Sequence, residues 1–328
     1  MLASKTRPSL SLEGIMLGLI GILYGPLLWH WVDGWLNKSI SIQHEYFSHG
    51  LLGIPFAAYL VWERRAAWHK LPPQMHWLAF PLLLVAVPFY SSGLVDLMNL
   101  SLPLLLAGLL LVLKGKPGFR LQSFPWLLLL LATPTQLPYL IEPYVLPLQG
   151  FIASVAGFIL QQFGVDVQVD GIYLSVSNQL VEVAPHCAGL KMLFTSLYMG
   201  LILVYWTGLN RSRLRTGLFF TGIVAISVAG NIVRNTVLAF FHGAQMTRAF
   251  DWLHESWGGD LYSAATLGML IVLIRLLEQY APASLRVSAT VPDARSQVSP
   301  LRKSSAEPGE TAGNPINTRP HPPRPDYF

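Results

Sequence analysis

Long apolar runs joined by short polar stretches fill the first 280 positions of the chain. A bilayer crossing takes about 20 mostly apolar residues. The runs at Leu12–Trp31, Leu51–Val61, Trp77–Tyr90, Leu94–Leu113, Phe124–Leu140, Ala188–Trp206, Leu214–Phe241 and Leu261–Glu278 therefore predict about eight membrane-spanning helices. The second and third runs are short, and Pro81 and Pro88 soften the edges of the third. Val145–Phe163 is also apolar, but Gln149, Gln161 and Gln162 dilute it. From Val165 to Val183 polar and apolar residues alternate around Gly171, which predicts a short β-hairpin. From Pro282 the chain turns to Pro, Ser, Arg and Thr, a composition that cannot bury enough surface to fold. The expected division is a membrane domain over 1–281 and a disordered tail over 282–328. The first apolar run lacks a small-residue cleavage site, so no removable secretory signal is expected. No internal repeat stands out, which argues against an inverted-repeat transporter.

Basic residues in short loops set the orientation of such a bundle. They cluster at Lys5/Arg7, Arg64/Arg65/Lys70, Lys114/Lys116/Arg120, Arg211/Arg213/Arg215 and Arg275. With the N-terminus in the cytoplasm and alternating spans, the first three clusters fall inside. The 211–215 cluster falls inside only if Val145–Phe163 lies on the outer surface as an interfacial helix, a placement its glutamines and Pro147 favour. Both termini are then cytoplasmic. Lys38, Lys191, Arg234 and Arg248 are the exceptions that remain outside.

Composition sharpens this picture. Hydrophobic residues make up 52% of the 328 and charged residues 12%, about half the ~25% usual in soluble proteins. The mean hydropathy is +0.46 even with the polar tail included. A water-soluble enzyme is excluded in favour of an all-α polytopic membrane protein. Outside the tail 16 basic residues face 13 acidic ones, which gives no case for nucleic-acid binding. A single cysteine rules out a disulfide scaffold and a Cys-rich metal site, and no cofactor or metal is expected.

That cysteine, Cys187, lies in Val183-Ala-Pro-His-Cys-Ala-Gly-Leu-Lys191, just before an apolar helix. A helix N-terminus and Lys191 one turn on would both favour a thiolate. A free cysteine is also a common small core residue. Arg234 sits in Gly230-Asn-Ile-Val-Arg-Asn235, within the outer half of a span. A cation at that depth is costly and marks a functional candidate; the bland alternative is snorkelling to the interface. Asn231 and Asn235 are close enough to satisfy it. Arginine stays protonated, so its natural role is to hold a carboxylate or a developing oxyanion. His254, in Asp251-Trp-Leu-His254, stands at the outer entrance of the last span, and His242 is its rival. A thiol, an imidazole and a cationic donor on one side of the membrane are the minimal set for thioester acyl transfer.

Four segments carry a resemblance to a known family. They are Glu45-Tyr-Phe-Ser-His-Gly50 leading to Trp62-Glu-Arg-Arg65, Cys187-Ala-Gly, Asn231-Ile-Val-Arg234, and His254 followed by Gly258. Together they resemble the exosortase/archaeosortase family of membrane cysteine transpeptidases, over roughly residues 40–275. The form Cys-Ala-Gly-Leu-Lys departs from the commoner Cys-Ser-Gly and looks most like the cyanobacterial branch, the cyanoexosortases. The resemblance implies Cys187 as nucleophile, His254 as acid/base and Arg234 as transition-state stabiliser. It also implies exported substrates with a C-terminal sorting signal: a short motif such as Pro-Glu-Pro, a transmembrane helix and a basic cluster. The setting it implies is the bacterial inner membrane with an extracytoplasmic site, and a link to exopolysaccharide or cell-surface display. His49, Asn231, Lys191 and Glu182 are supporting candidates; Glu182 could orient the histidine.

Two other function classes fit a polytopic chain. A transporter or flippase of lipid-linked glycans would use Arg234 and Lys191 on phosphate and would not need Cys187. A non-catalytic exopolysaccharide assembly protein would depend on the tail. Replacing Lys191 with Met should raise the pH at which Cys187 alkylates; an unchanged profile removes Lys191 from any role in tuning the thiol.

Overall fold

The computed structural model describes residues 12–37, 46–183, 189–254 and 256–280. The tail expected to be disordered lies outside them. In chain order the elements are α1 (Leu12–Leu36), α2 (Gly50–Glu63), α3 (Arg65–Lys70), α4 (Ala79–Ser91), α5 (Val95–Ala132), α6 (Leu137–Ile141) and α7 (Leu146–Gln162). A small sheet follows, β1 (Val167–Asp170), β2 (Tyr173–Val176) and β3 (Gln179–Glu182). Last come α8 (Leu190–Thr207), α9 (Arg213–Gly243), α10 (Thr247–His254) and α11 (Trp257–Tyr280). Among the described residues six helices are long and apolar enough to cross a membrane, and α2 and α4 are shorter apolar helices. Their outer walls carry large apolar side chains, with Ile22, Trp29 and Leu84 all more than 70% exposed. Such a surface suits lipid and would aggregate in water. The chain is an all-α polytopic membrane protein.

The span expected at Leu94–Leu113 and the first part of that expected at Phe124–Leu140 are two arms of α5, folded back on each other. Gly115 interrupts the helix at φ 59° and ψ −153°. The arms on either side pair antiparallel: Trp126 Nε1 donates to the Pro103 carbonyl at 2.9 Å and Asn99 Nδ2 to that of Pro134 at 2.9 Å. Asn99 also accepts from Trp31 Nε1 at 2.7 Å, tying α1 to both arms. Trp31, Asn99 and Pro134 are buried and Trp126 half-buried in an apolar bundle, where lipid offers no substitute partner.

The hairpin expected around Gly171 is a three-stranded antiparallel meander in the order β1-β2-β3. Gly171, at φ 60°, makes the first turn, as the pattern predicts. The second turn is Ser177-Asn178, both at positive φ (48° and 68°) between the paired residues Val176 and Gln179. That is the left-handed geometry of a tight hairpin turn, usually signalled by glycine. Its absence here hid the third strand. The sheet lies along α7, with Gln149 Nε2 donating to the Val183 carbonyl at 2.8 Å and Gln161 Nε2 to that of Val167 at 3.0 Å. Two of the three glutamines that dilute the apolar run are thus ties between helix and sheet. Ile152, Ala153, Ala156 and Leu160 of α7 bury against Leu174, Val176 and Val183.

The bundle has two chemically different ends. At one end Arg64 donates to the Leu121 carbonyl and to the Tyr205 hydroxyl, and Lys114 Nζ donates to the Leu71 carbonyl at 2.7 Å. Leu209 and Ile274 share a core cluster there, which brings the 211–215 and Arg275 groups to the same end. The α7–sheet layer and the C-terminal end of α9 lie at the other, where Gly243 packs on Val176. Asn99→Ala strips partners from the Trp31 indole and the Pro134 carbonyl. It should cost about 1–3 kcal/mol for each buried group left unpaired, read as a lower melting temperature in detergent.

Candidate active site

Helix α9 carries Arg234 and Asn231, with Asn235 and His242 further along it. Ser212 caps its N-terminus by accepting from the Arg215 amide at 3.4 Å, and the apolar run then continues to Gly243 without a proline. Successive helical residues stand about 100° apart. Gly230, Arg234 and Asn231 therefore share one arc of the helix surface, with Arg234 in the middle.

On the Asn231 flank lies the start of α8. Gly189 precedes that helix at φ 80°, a left-handed conformation that side-chain-bearing residues rarely adopt. A Cβ there would stand 2.6 Å from Asn231 Cγ and 2.9 Å from its Nδ2, so the two segments touch only because position 189 is glycine. Asn231 is 1% exposed, and among the described residues neither its Nδ2 nor its Oδ1 has a hydrogen-bond partner. The expectation that Asn231 and Asn235 satisfy Arg234 is not met. Asn235 Nδ2 turns back to its own helix, donating to the Asn231 carbonyl at 2.9 Å. Among the described residues no hydrogen bond or ion pair engages the half-buried guanidinium of Arg234. Residues 184–188 lie outside the described set, Cys187 among them. The chain on either side is fixed: Val183 is fully buried and tied to Gln149 and Ile172, and Gly189 accepts from the Leu193 amide at 2.8 Å.

On the Gly230 flank lies α11. A Cβ on Gly230 would stand 2.7 Å from the Tyr262 hydroxyl oxygen, so that ring closes over the helix one turn from Arg234. The pattern of apolar positions gave no sign of this residue: a tyrosine in a span reads as wall until its hydroxyl is seen to point inward.

His254 ends α10, half-buried, its ring stacked on Phe250 at 5.2 Å and 14°. Phe250 in turn packs on His242 at 5.4 Å, so the two rival imidazoles share one aromatic stack. Gly258 explains the spacing of the pair it forms with His254. A Cβ there would lie 2.6 Å from the Trp252 carbonyl, so only glycine lets α11 start so close behind α10.

The supporting candidates separate. Lys191 is half-buried in the first turn of α8, close to Gly189. His49 is buried at the entry to α2, its Nε2–H donating to the Leu131 carbonyl at 3.2 Å and its ring 4.2 Å from that of Tyr198. It also lines a cavity of 180 Å³ with Thr195, Ser196 and Ser263. Glu182 is exposed on β3, opposite Tyr173, and no described contact links it to His254. No group of His, Cys, Asp and Glu among the described residues could hold a metal ion.

The model of a family described as transmembrane exosortase matches residues 35–271. The chain belongs to the transmembrane exosortase family. The α7–sheet layer, the α9 arc, His254 and Tyr262 lie within that match, whereas most of α1 and the end of α11 lie outside it. No curated protein and no solved structure matches the chain.

Gly189→Ala combines backbone strain with a collision against Asn231. It should lower the melting temperature by an amount equivalent to at least ~1–2 kcal/mol and change the maleimide labelling rate of Cys187. The chain has one cysteine, so the label reports on that position alone.

Proposed function

We propose that this exosortase is a membrane cysteine peptidase or transpeptidase. It cleaves the C-terminal sorting signals of exported proteins through a thioester formed on Cys187. The observation that carries this is the contact between Gly189 and Asn231. Two peptide units separate Cys187 from Gly189, so their Cα atoms can be at most roughly 7.6 Å apart. Asn231 in turn is one helical turn from Arg234. The only thiol of the sequence thus lies two residues from a segment that touches the helix carrying an intramembrane cation.

The chemistry follows from what each group can do. His254 takes the Cys187 proton, and the thiolate attacks the carbonyl carbon of the scissile peptide. The carbonyl π pair moves to oxygen, and the Arg234 guanidinium faces the charge that develops there. Collapse breaks the C–N bond, and the leaving amine takes the proton from the imidazole. Water or an acceptor amine then attacks the thioester and frees the thiol. Asn231, unpaired and buried, has a donor and an acceptor to offer a substrate peptide bond, the pairing one amide makes with another. Lys191 supports the thiolate or an acidic residue of the sorting motif, and His49 supports the wall beside the site.

The same physics orients the molecule in a bacterial inner membrane. The end rich in Arg and Lys belongs in the cytoplasm by the positive-inside rule, together with both termini. The α7–sheet layer then lies on the extracytoplasmic surface, because an open sheet edge has no partners in hydrocarbon. Although α7 is long and apolar enough to cross, both of its ends are tied to that sheet. A substrate whose own basic cluster stays cytoplasmic would meet the site from the side of its signal motif. The Cys-Ala-Gly-Leu-Lys form favours the cyanobacterial branch.

The test is co-expression with a candidate protein bearing a sorting motif, a transmembrane helix and a basic cluster. Cys187→Ala and Arg234→Ala should leave the substrate full-length at normal enzyme levels, and His254→Ala should slow processing by about 10²–10⁴-fold. Cleavage that persists in the cysteine variant overturns the assignment and returns the field to a transporter or an assembly protein.

A further inference from the structure

Tyr262 brings a polar group into the contact between α9 and α11. Its ring belongs to the wall of the bundle, where a phenylalanine would pack as well. Its hydroxyl is buried and among the described residues has no hydrogen-bond partner. The oxygen faces the bare backbone at Gly230, close enough to Arg234 for the guanidinium charge to act on it. A buried hydroxyl without a partner is destabilising in any protein interior, and the lipid around this bundle cannot supply one. Arg234 lies on the same arc, and its guanidinium is likewise unengaged among the described residues. Two groups able to donate hydrogen bonds therefore stand on neighbouring helices within one turn of α9, and among the described residues neither has a partner. Asn231 and Gly189 close the opposite flank of the same arginine.

We propose that the Tyr262 hydroxyl is a further catalytic residue, the second donor, with Arg234, to the carbonyl oxygen that becomes the oxyanion. This rests on the acyl-transfer function proposed above. As the thiolate forms its bond to carbon, the carbonyl π pair becomes a full charge on oxygen. The Tyr262 O–H shortens its hydrogen bond to that charge and keeps its proton throughout. When the oxyanion collapses and the C–N bond breaks, the hydroxyl relaxes with the restored carbonyl. A donor unpaired in the resting protein has no internal bond to give up first, which is what makes it effective in the transition state. The ligand chemistry is that of a peptide carbonyl, held at the depth of the Gly230–Arg234 turn.

Tyr262→Phe removes only the hydroxyl and keeps the ring. In the full-length enzyme with the sorting-signal protein used above, kcat should fall about 100-fold while KM stays within roughly twofold. The melting temperature should be unchanged or higher, because the variant loses a buried group with no partner. Turnover close to wild type overturns the proposal. So does a lowered melting temperature, which would mean that the hydroxyl is already paired in the resting protein. Cys187→Ala, run in parallel, separates the two levels. Processing that survives it defeats the acyl-transfer function itself, whereas an inactive cysteine variant beside a fully active Tyr262→Phe defeats only the role of the tyrosine.

Discussion

A polar group carried into an apolar bundle has to find its partner inside the protein, since lipid offers none. The construction of this exosortase follows from that constraint. Asn99 bonds both the Trp31 indole and the Pro134 carbonyl, and so joins three apolar segments by a polar clasp. Gln149 and Gln161 stitch α7 to its sheet. Arg64 and Lys114 reach backbone carbonyls at the opposite end. Tyr198 donates to the Leu128 carbonyl at 3.0 Å beside His49. Among the described residues some buried groups lack a partner, Trp35 Nε1, Gln122 Oε1 and the Ser227 hydroxyl among them. The Asn231 amide and the Tyr262 hydroxyl are buried and unpaired, and both flank Arg234.

Glycine decides where the helices approach closely enough to make that arrangement. The segment after the cysteine can touch Asn231 because position 189 has no side chain, and the α10–α11 junction closes because position 258 has none. Two of the short motifs that carry the family likeness therefore have a mechanical basis. In each, the glycine is the residue that lets a neighbouring functional group arrive.

Much of the architecture was legible in the sequence because its signals are strong and local. Apolar runs of span length gave the helices, and the basic clusters grouped the residues that the structure brings to one end. Gly171 marked the first turn of the sheet. What escaped depended on contacts between distant segments or on turns without their usual residue. Ser177-Asn178 adopts the left-handed geometry of a hairpin turn without glycine, so β3 was invisible. The α5 fold-back hid in an apparent gap between two spans, because Pro117 and Gly118 look like loop and are helix. Arg234, His254 and Asn231 could be singled out as polar residues in apolar surroundings. Tyr262 could not, because tyrosine is ordinary in a membrane wall and only the direction of its hydroxyl sets it apart.

The turn at Gly115 couples two spans mechanically. The two arms of α5 are joined through one non-helical residue, with Lys114 and Lys116 on either side of it. With no loop between them to take up slack, a change of tilt or register in one arm is passed straight to the other.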